Sequence, residues 1–276
     1  MNEQIKSLKI VAMIMCAALY AIGAYATAYI PSPWGFGQFR PAVAIPAFFA
    51  VLFGPLPAGI GAAIGTLIAD SVKHGTLHLG SLIAAVPGNF IGFYIFGRIC
   101  RGFTWKKFIV ATNVTLTSAN LLTAFLYIYV YRFLYLQALK IGFSEILILT
   151  FGLTVWWFVT MLPFVLTITP LLIRVVSMSM PSIVPEGVRS RSLNDDLPKT
   201  GFGLSLLIPG IILLMLGLIT TFTDLGKTIV AVNRLLGMEP LQILLYGSGA
   251  TLTPLGLYSI IRANRKPSNT NNLEQR

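Results

Sequence analysis

From Ile10 to Phe39 the chain runs for thirty residues without a single Asp, Glu, Lys, Arg or His, and the 29 residues from Pro41 to Ala69 carry none either. Runs of this kind leave few choices. A helix of about 20 apolar residues matches the hydrocarbon thickness of a bilayer, and a water-soluble domain has no means of covering several such helices at once. Composition agrees: 55% of the residues are hydrophobic and 11% charged, against about 25% charged in soluble proteins. Mean hydropathy is +0.79. The chain therefore reads as an integral membrane protein. Its net charge of +11 belongs to cytoplasmic loops and not to nucleic-acid binding. Cys16 and Cys100 make no disulfide framework, and no polar stretch is long enough for a core of its own.

The expected spans are 10–30, 41–54, 57–70, 79–97, 108–131, 146–173, 204–222 and 241–261. The first is too long for the apolar core of a signal peptide, although Ala26-Thr27-Ala28 resembles a cleavage site. The segment 41–70 is the ambiguous one. Gly54-Pro55-Leu56-Pro57 interrupts it, and two prolines remove helix donors and disfavour helical angles in the residues before them. Charge decides between one span and a hairpin of two short arms. With a hairpin and a cytoplasmic N-terminus, 14 of the 20 Lys and Arg residues fall inside and 6 outside; with a single span the count becomes 7 inside and 13 outside. The positive-inside rule selects the hairpin. The fold class is thus all-α and polytopic, with about eight transmembrane helices and both termini cytoplasmic.

Small and polar residues recur on helix faces. Ala17, Ala21, Ala24 and Ala28 share one face of the first helix. Gly61, Gly65 and Ala69 do so in the third, and Gly88 and Gly92 in the fourth, with Ser81 and Ala85 near the same face. Such faces admit close helix approach in lipid. Asn113, Thr117 and Asn120 lie near one face of the fifth helix and Asn89 lies in the fourth. Amides in hydrocarbon require partners, either on another helix or in a polar pocket. Trp156 and Trp157 sit about 15 Å from the outer end of the sixth helix, below an interfacial aromatic belt. One of them is placed to pack or to stack on a planar ligand. The loop 31–40 holds Trp34, Gln38 and Arg40; Arg40 is either a clamp for an anionic group or a headgroup anchor. Asp70, Lys73, His74 and His78 crowd the next outer loop, where substrate contact or solvation is favoured over a metal site.

Several chemistries are missing. There is no G-x-x-x-x-G-K-[ST] phosphate loop and no H-E-x-x-H. Gly247-Ser248-Gly249 has no histidine after it to act as base, and Asp70 has no second intramembrane aspartate. No catalytic residue, cofactor or metal is expected.

Gln38-Phe39-Arg40-Pro41-Ala42, then Phe53-Gly54-Pro55-Leu56-Pro57-Ala58-Gly59, then Gly65-Thr66-Leu67-Ile68-Ala69-Asp70 together resemble the substrate-binding S components of energy-coupling factor (ECF) transporters. The A-x-x-x-A pattern of that family's first helix looks like Ala17-x-x-x-Ala21 and Ala24-x-x-x-Ala28. The Arg40 region looks nearest to the queuosine-precursor branch, in which an acidic residue usually follows the arginine by three positions; Val43 stands there. The resemblance implies a six-helix S-component-like bundle over 1–176. A cytoplasmic linker at 177–200, an additional transmembrane hairpin at 201–266 and a cytoplasmic tail at 267–276 extend beyond it. It also implies a substrate-capture subunit of an ABC importer for a vitamin-like or nucleobase-like micronutrient, with no enzymatic activity of its own. A transmembrane coupling (T) component and two cytoplasmic ATPases would be its partners, beside membrane lipid and the small-molecule substrate, with no nucleic acid. The loop 31–40 would be a lid. Ligand residues would be drawn from Trp34, Gln38, Arg40, Asn89, Asn113, Asn120 and Trp156, and Ala17, Ala21, Ala24 and Ala28 would face the coupling protein. The rivals are a membrane-embedded enzyme or scaffold, and a self-sufficient secondary carrier, which would be expected to show pseudo-symmetric halves.

Overall fold

The computed structural model describes residues 3–32, 35, 37–191, 199–224 and 238–264, and the described chain is helical apart from turns and one isolated bridge between Pro31 and Gln38. Helix α1 is Glu3–Ala26. A single turn, Pro41–Val43, leads into α2, Ala44–Phe53; α3 is Pro55–His74 and α4 is Val86–Ile99. Helix α5 covers Trp105–Phe125, α6 Phe143–Ser179, α7 Glu186–Arg189, α8 Lys199–Phe222 and α9 Met238–Asn264. Among the described residues six helices are long and apolar enough to cross a membrane, namely α1, α3, α4, α5, α6 and α8, while Pro41–Phe53 is apolar but shorter. The protein is a polytopic membrane protein.

The chain reverses at Gly54, whose φ of 88° is open only to glycine at low cost. Pro55 and Pro57 do not break a helix, as the sequence pattern implies. They occupy the first turn of α3, where a missing N–H costs nothing. α3 is also longer than the expected 57–70 arm. It absorbs Asp70, Lys73 and His74 into its last turns and closes on Gly75 in the left-handed conformation, with the Gly75 N–H bonded to the Val72 carbonyl.

Helices α1 and α3 run parallel in close contact. A Cβ at Gly61 would stand 2.5 Å from that of Cys16, and one at Gly65 would stand 2.7 Å from the Ala17 carbonyl oxygen. The small residues of α1 are consumed by this contact and its neighbours. Ala17, Ala21, Ala24 and Ala28 are buried inside the chain, which takes them away from the partner-facing role the resemblance implies. The outward face of α1 carries Ile14, Ala18 and Ile22 instead. The end of α4 closes on the Gly54 reversal, since Gly97 lies against Pro55. Thr115 Oγ1 donates to the Gly92 carbonyl at 3.0 Å between α5 and α4, and Thr169 Oγ1 donates to the Ala44 carbonyl at 3.0 Å between α6 and α2.

Two stretches are wound more loosely. Ser81–Ala85, ahead of α4, and Leu126–Tyr135, continuing α5, are π-helical. They adjoin each other at the end of the bundle opposite Gly54.

Helices α8 and α9 form an antiparallel hairpin of their own. Gly203, Gly210 and Gly217 recur every seven residues on α8, against Gly256, Thr253 and Tyr246 of α9. Asn113 Nδ2 donates to Ser205 Oγ at 3.1 Å and ties this hairpin to α5.

Candidate functional site

The sequence between α1 and α2 folds back on itself because its residues bond to one another. The Phe39 N–H reaches the Ile30 carbonyl at 2.9 Å and the Ser32 N–H reaches the Gly37 carbonyl at 3.0 Å. Gly35 and Gly37 take positive φ to allow this. Two side chains fix the flap to the bundle: Thr27 Oγ1 donates to the Phe39 carbonyl at 2.8 Å, and the Trp157 indole N–H donates to the Gln38 carbonyl at 2.9 Å. Gly37 fits so closely over α6 that a Cβ there would stand 2.8 Å from Leu153 and 2.9 Å from Trp157.

Beneath the flap lies a cavity of about 280 Å³, bounded by the flap, the neighbouring ends of α3, α4 and α5, and the middle of α6. On one wall Arg40 is buried. Its guanidinium pairs with Asp70 Oδ1, donates to Thr66 Oγ1 and reaches Gln38 Oε1 at 3.4 Å. Thr66 and Asp70 are themselves buried. A buried charge requires a partner and further hydrogen bonds, and this one has both, so Arg40 is fixed in place as part of the wall. The reading of Arg40 as a lipid-headgroup anchor does not fit a residue 8% exposed.

The last turn of α3 and the segment after it form the rim. Lys73 Nζ donates to the Ala28 carbonyl at 2.5 Å and lies 5.5 Å from the Tyr29 ring centre. His74 and His78 stack at 4.1 Å with ring planes 12° apart. Their partners assign their protons. His74 Nδ1 faces the Asp70 carbonyl at 2.7 Å and must carry hydrogen there. His78 Nδ1 accepts the Ser81 N–H at 3.0 Å and must hold a lone pair there. Burial, with His74 beside it, lowers the pKa of His78 from its ordinary value, which agrees with a neutral ring. The Asp70 carboxylate, for its part, pairs with Arg40 through Oδ1.

The opposite wall carries amides and aromatics. Asn89 and Asn120 both line the cavity. Asn89 Nδ2 donates to the Ala85 carbonyl at 2.8 Å, and Asn120 Nδ2 reaches only Met161 Sδ at 3.7 Å. Trp157, Tyr127 and Arg132 line it as well.

Of the residues singled out from sequence, Gln38, Arg40, Asn89 and Asn120 meet at this cavity. Two do not. Asn113 lies in a separate, mainly apolar groove between α5, α6 and α8, where its amide bonds to the Ile109 carbonyl and to Ser205. Trp156 is buried away from the cavity, and adjacent Trp157 takes the position at the wall. Trp34 lies outside the described residues. Ser81, Lys73, Tyr127, Arg132 and Trp157 are among the other residues of the lining. Ser81 and Arg132 sit in the two π-wound stretches, where ordinary helical spacing does not say which way a side chain faces.

The family model described as "ECF-type riboflavin transporter, S component" matches residues 4–169, which takes in α1 to α5 and most of α6 but neither α8 nor α9. No curated protein and no solved structure matches the chain.

Proposed function

Because this chain belongs to the ECF-type riboflavin transporter S component family, we propose that it captures a vitamin-like or nucleobase-like micronutrient in the flap-covered cavity for import by an ECF-type ABC transporter. The single observation that supports this most is the tether between Trp157 and Gln38. It holds a glycine-containing flap over a cavity whose wall includes a fixed guanidinium, two amides and an indole. Cavities of this make-up, largely preformed and with a few polar groups that fix orientation, are what small-ligand sites require.

In this reading the flap opens to admit ligand from outside and closes over it. A transmembrane coupling protein and two cytoplasmic ATPases supply the energy, which accords with a sequence that has no phosphate loop. Lys and Arg distribution supports cytoplasmic termini and an outward-facing cavity, with Gly54 at the inner surface. Riboflavin, which the family description names, is the first ligand to test. The queuosine-precursor resemblance rests on the Arg40 segment alone.

The test is reconstitution. The chain is assembled in proteoliposomes with a coupling protein and paired ATPases, and uptake of labelled micronutrients is followed with and without ATP. ATP-dependent uptake that requires this chain is expected. ATP hydrolysis by the purified chain alone, or failure to assemble with any coupling module of its own genome, overturns the proposal. For topology, a cysteine at Ser71 is expected to be labelled from outside only.

A further inference from the structure

Where the hairpin of α8 and α9 meets the bundle, a groove of about 350 Å³ lies between α5, α6 and α8. The family match ends at residue 169, before α8, so one wall of this groove comes from a part of the chain that the match does not cover. The lining is mainly apolar, with Val155 and Phe158 from α6 and Ile208 and Ile212 from α8. Four polar side chains reach it, and three of them are already bonded inside the chain. Asn113 Nδ2 donates to the Ile109 carbonyl and to Ser205 Oγ, and Thr154 Oγ1 donates to the Thr150 carbonyl. The fourth, Thr117, is exposed. The interior of the groove therefore suits an alkyl chain and not a hydrogen-bonding ligand. All three helices are long and apolar enough to cross a membrane, and what surrounds an opening between such helices is lipid tail and not water.

Charge selects among lipids. Lys106, Val110, Asn113 and Thr117 recur at i, i+4, i+7 and i+11, which is one face of α5. That face lines the groove at Asn113 and Thr117 and ends in a cation at Lys106, seven residues or about 10 Å from Asn113 along the axis. Lys106 is exposed and has no hydrogen-bond or ion-pair partner among the described residues. Its neighbour Lys107 is instead bonded to the Arg101 and Gly102 carbonyls. Lys106 stands at the Gly54 end of the bundle, which the positive-inside rule puts at the inner leaflet. Half of a hydrocarbon core of about 30 Å is about 15 Å, so a tail whose headgroup is level with Lys106 is long enough to enter the groove.

We propose that this groove holds one acyl chain of an inner-leaflet anionic phospholipid, with the lipid phosphate at Lys106. The lipid fills the joint between the additional hairpin and the bundle, and its binding does not depend on the capture reading above.

Native mass spectrometry of the full, delipidated chain in detergent tests this, with dioleoylphosphatidylglycerol and dioleoylphosphatidylcholine offered at equal concentration. The two share their tails and differ in headgroup charge. One lipid should be retained, with the anionic one favoured about fivefold, the effect of one lysine beside an anionic headgroup. Lys106→Gln should abolish that preference. Thr117→Phe and Ile208→Trp add bulk to the groove from different helices, and each should stop retention of either lipid. Melting temperature identifies a variant that has not folded, and the second groove variant then carries the test. Equal retention of the two lipids by the wild-type chain, or an unchanged preference in Lys106→Gln, overturns the proposal. So does a folded groove variant that retains lipid as the wild-type chain does, since the lipid would then lie elsewhere on the surface. Absence of any retained lipid overturns it as well.

Discussion

The indole N–H of Trp157, in the middle of α6, donates to the backbone carbonyl of Gln38, 119 positions earlier in the chain. Beside the Thr27 bond to the Phe39 carbonyl, the flap is therefore fastened to the bundle by a directional bond to a carbonyl that any residue at 38 would supply. Trp157→Phe keeps most of the ring and removes the donor. A neutral hydrogen bond contributes about 1 kcal/mol, so ligand should dissociate about fivefold faster from the variant with little change in association rate. Stopped-flow measurement of both rates checks this; an unchanged off-rate means the flap is held by other contacts.

Arg40 and Asp70 should behave as a unit. Removing one partner of a buried pair leaves the other charge stranded at a cost of about 3–5 kcal/mol. Arg40→Ala is thus expected to lower the thermal midpoint markedly before any effect on affinity is read. Replacing both, as Arg40→Met with Asp70→Leu, should recover most of the stability. A double variant as unstable as the single one would show that the loss comes from the cavity wall and not from the unpaired carboxylate.

The two faces of α1 make opposite predictions. Ala17 packs against Gly65 inside the bundle, while Ala18 is exposed. Ala17→Leu should overpack and destabilise by about 1–3 kcal/mol; Ala18→Leu should leave the melting temperature unchanged. Thermal denaturation in detergent separates them. If both variants melt like wild type but Ala17→Leu fails to assemble with a coupling protein, the alanine face belongs to the partner after all.

Acid should loosen the rim. The pKa of His78 is lowered by burial below its ordinary value of 6.5, so the unfolded chain takes up its proton first as pH falls. The contribution to stability is complete above that ordinary value and is lost as pH drops through it toward the lowered folded-state value. Protonation at Nδ1 also replaces the acceptor for the Ser81 N–H with a second donor. Melting temperature should fall between about pH 7 and pH 5, and His78→Gln should flatten that part of the profile. An identical slope in the variant would assign it to other groups.

Much of this architecture can be read from sequence where the deciding chemistry is local. The chain reversal at Gly54 is legible because a glycine followed by two spaced prolines is punctuation wherever it occurs. Arg40 stands out as the one cation in a glycine-rich loop. What sequence does not show is long-range or angular. The pairing of Arg40 with Asp70 joins α3 to a loop 30 positions away. Trp156 and Trp157 differ by about 100° around one helix, and periodicity alone cannot choose between them. Asn113 and Asn120 do share a face, but seven residues separate them by about 10 Å along the axis, enough to put one against Ser205 and the other at the cavity. The alanine spacing in α1 correctly marks a close helix contact. It carries no information on whether the approaching helix belongs to the same chain, and Gly61 and Gly65 of α3 fill that place.

The two π-wound stretches at the rim have a consequence for how such a site changes over time. A turn wound i to i+5 holds one residue more than an α-helix needs over the same rise. Losing a single codon there would restore regular winding locally, changing which side chains that stretch offers at the rim while the helix beyond it keeps its facing. Ser81 and Arg132 lie in these two stretches. A lineage could thus retune what it takes up by one-residue deletions at the rim of the site, leaving the apolar helices that cross the bilayer untouched.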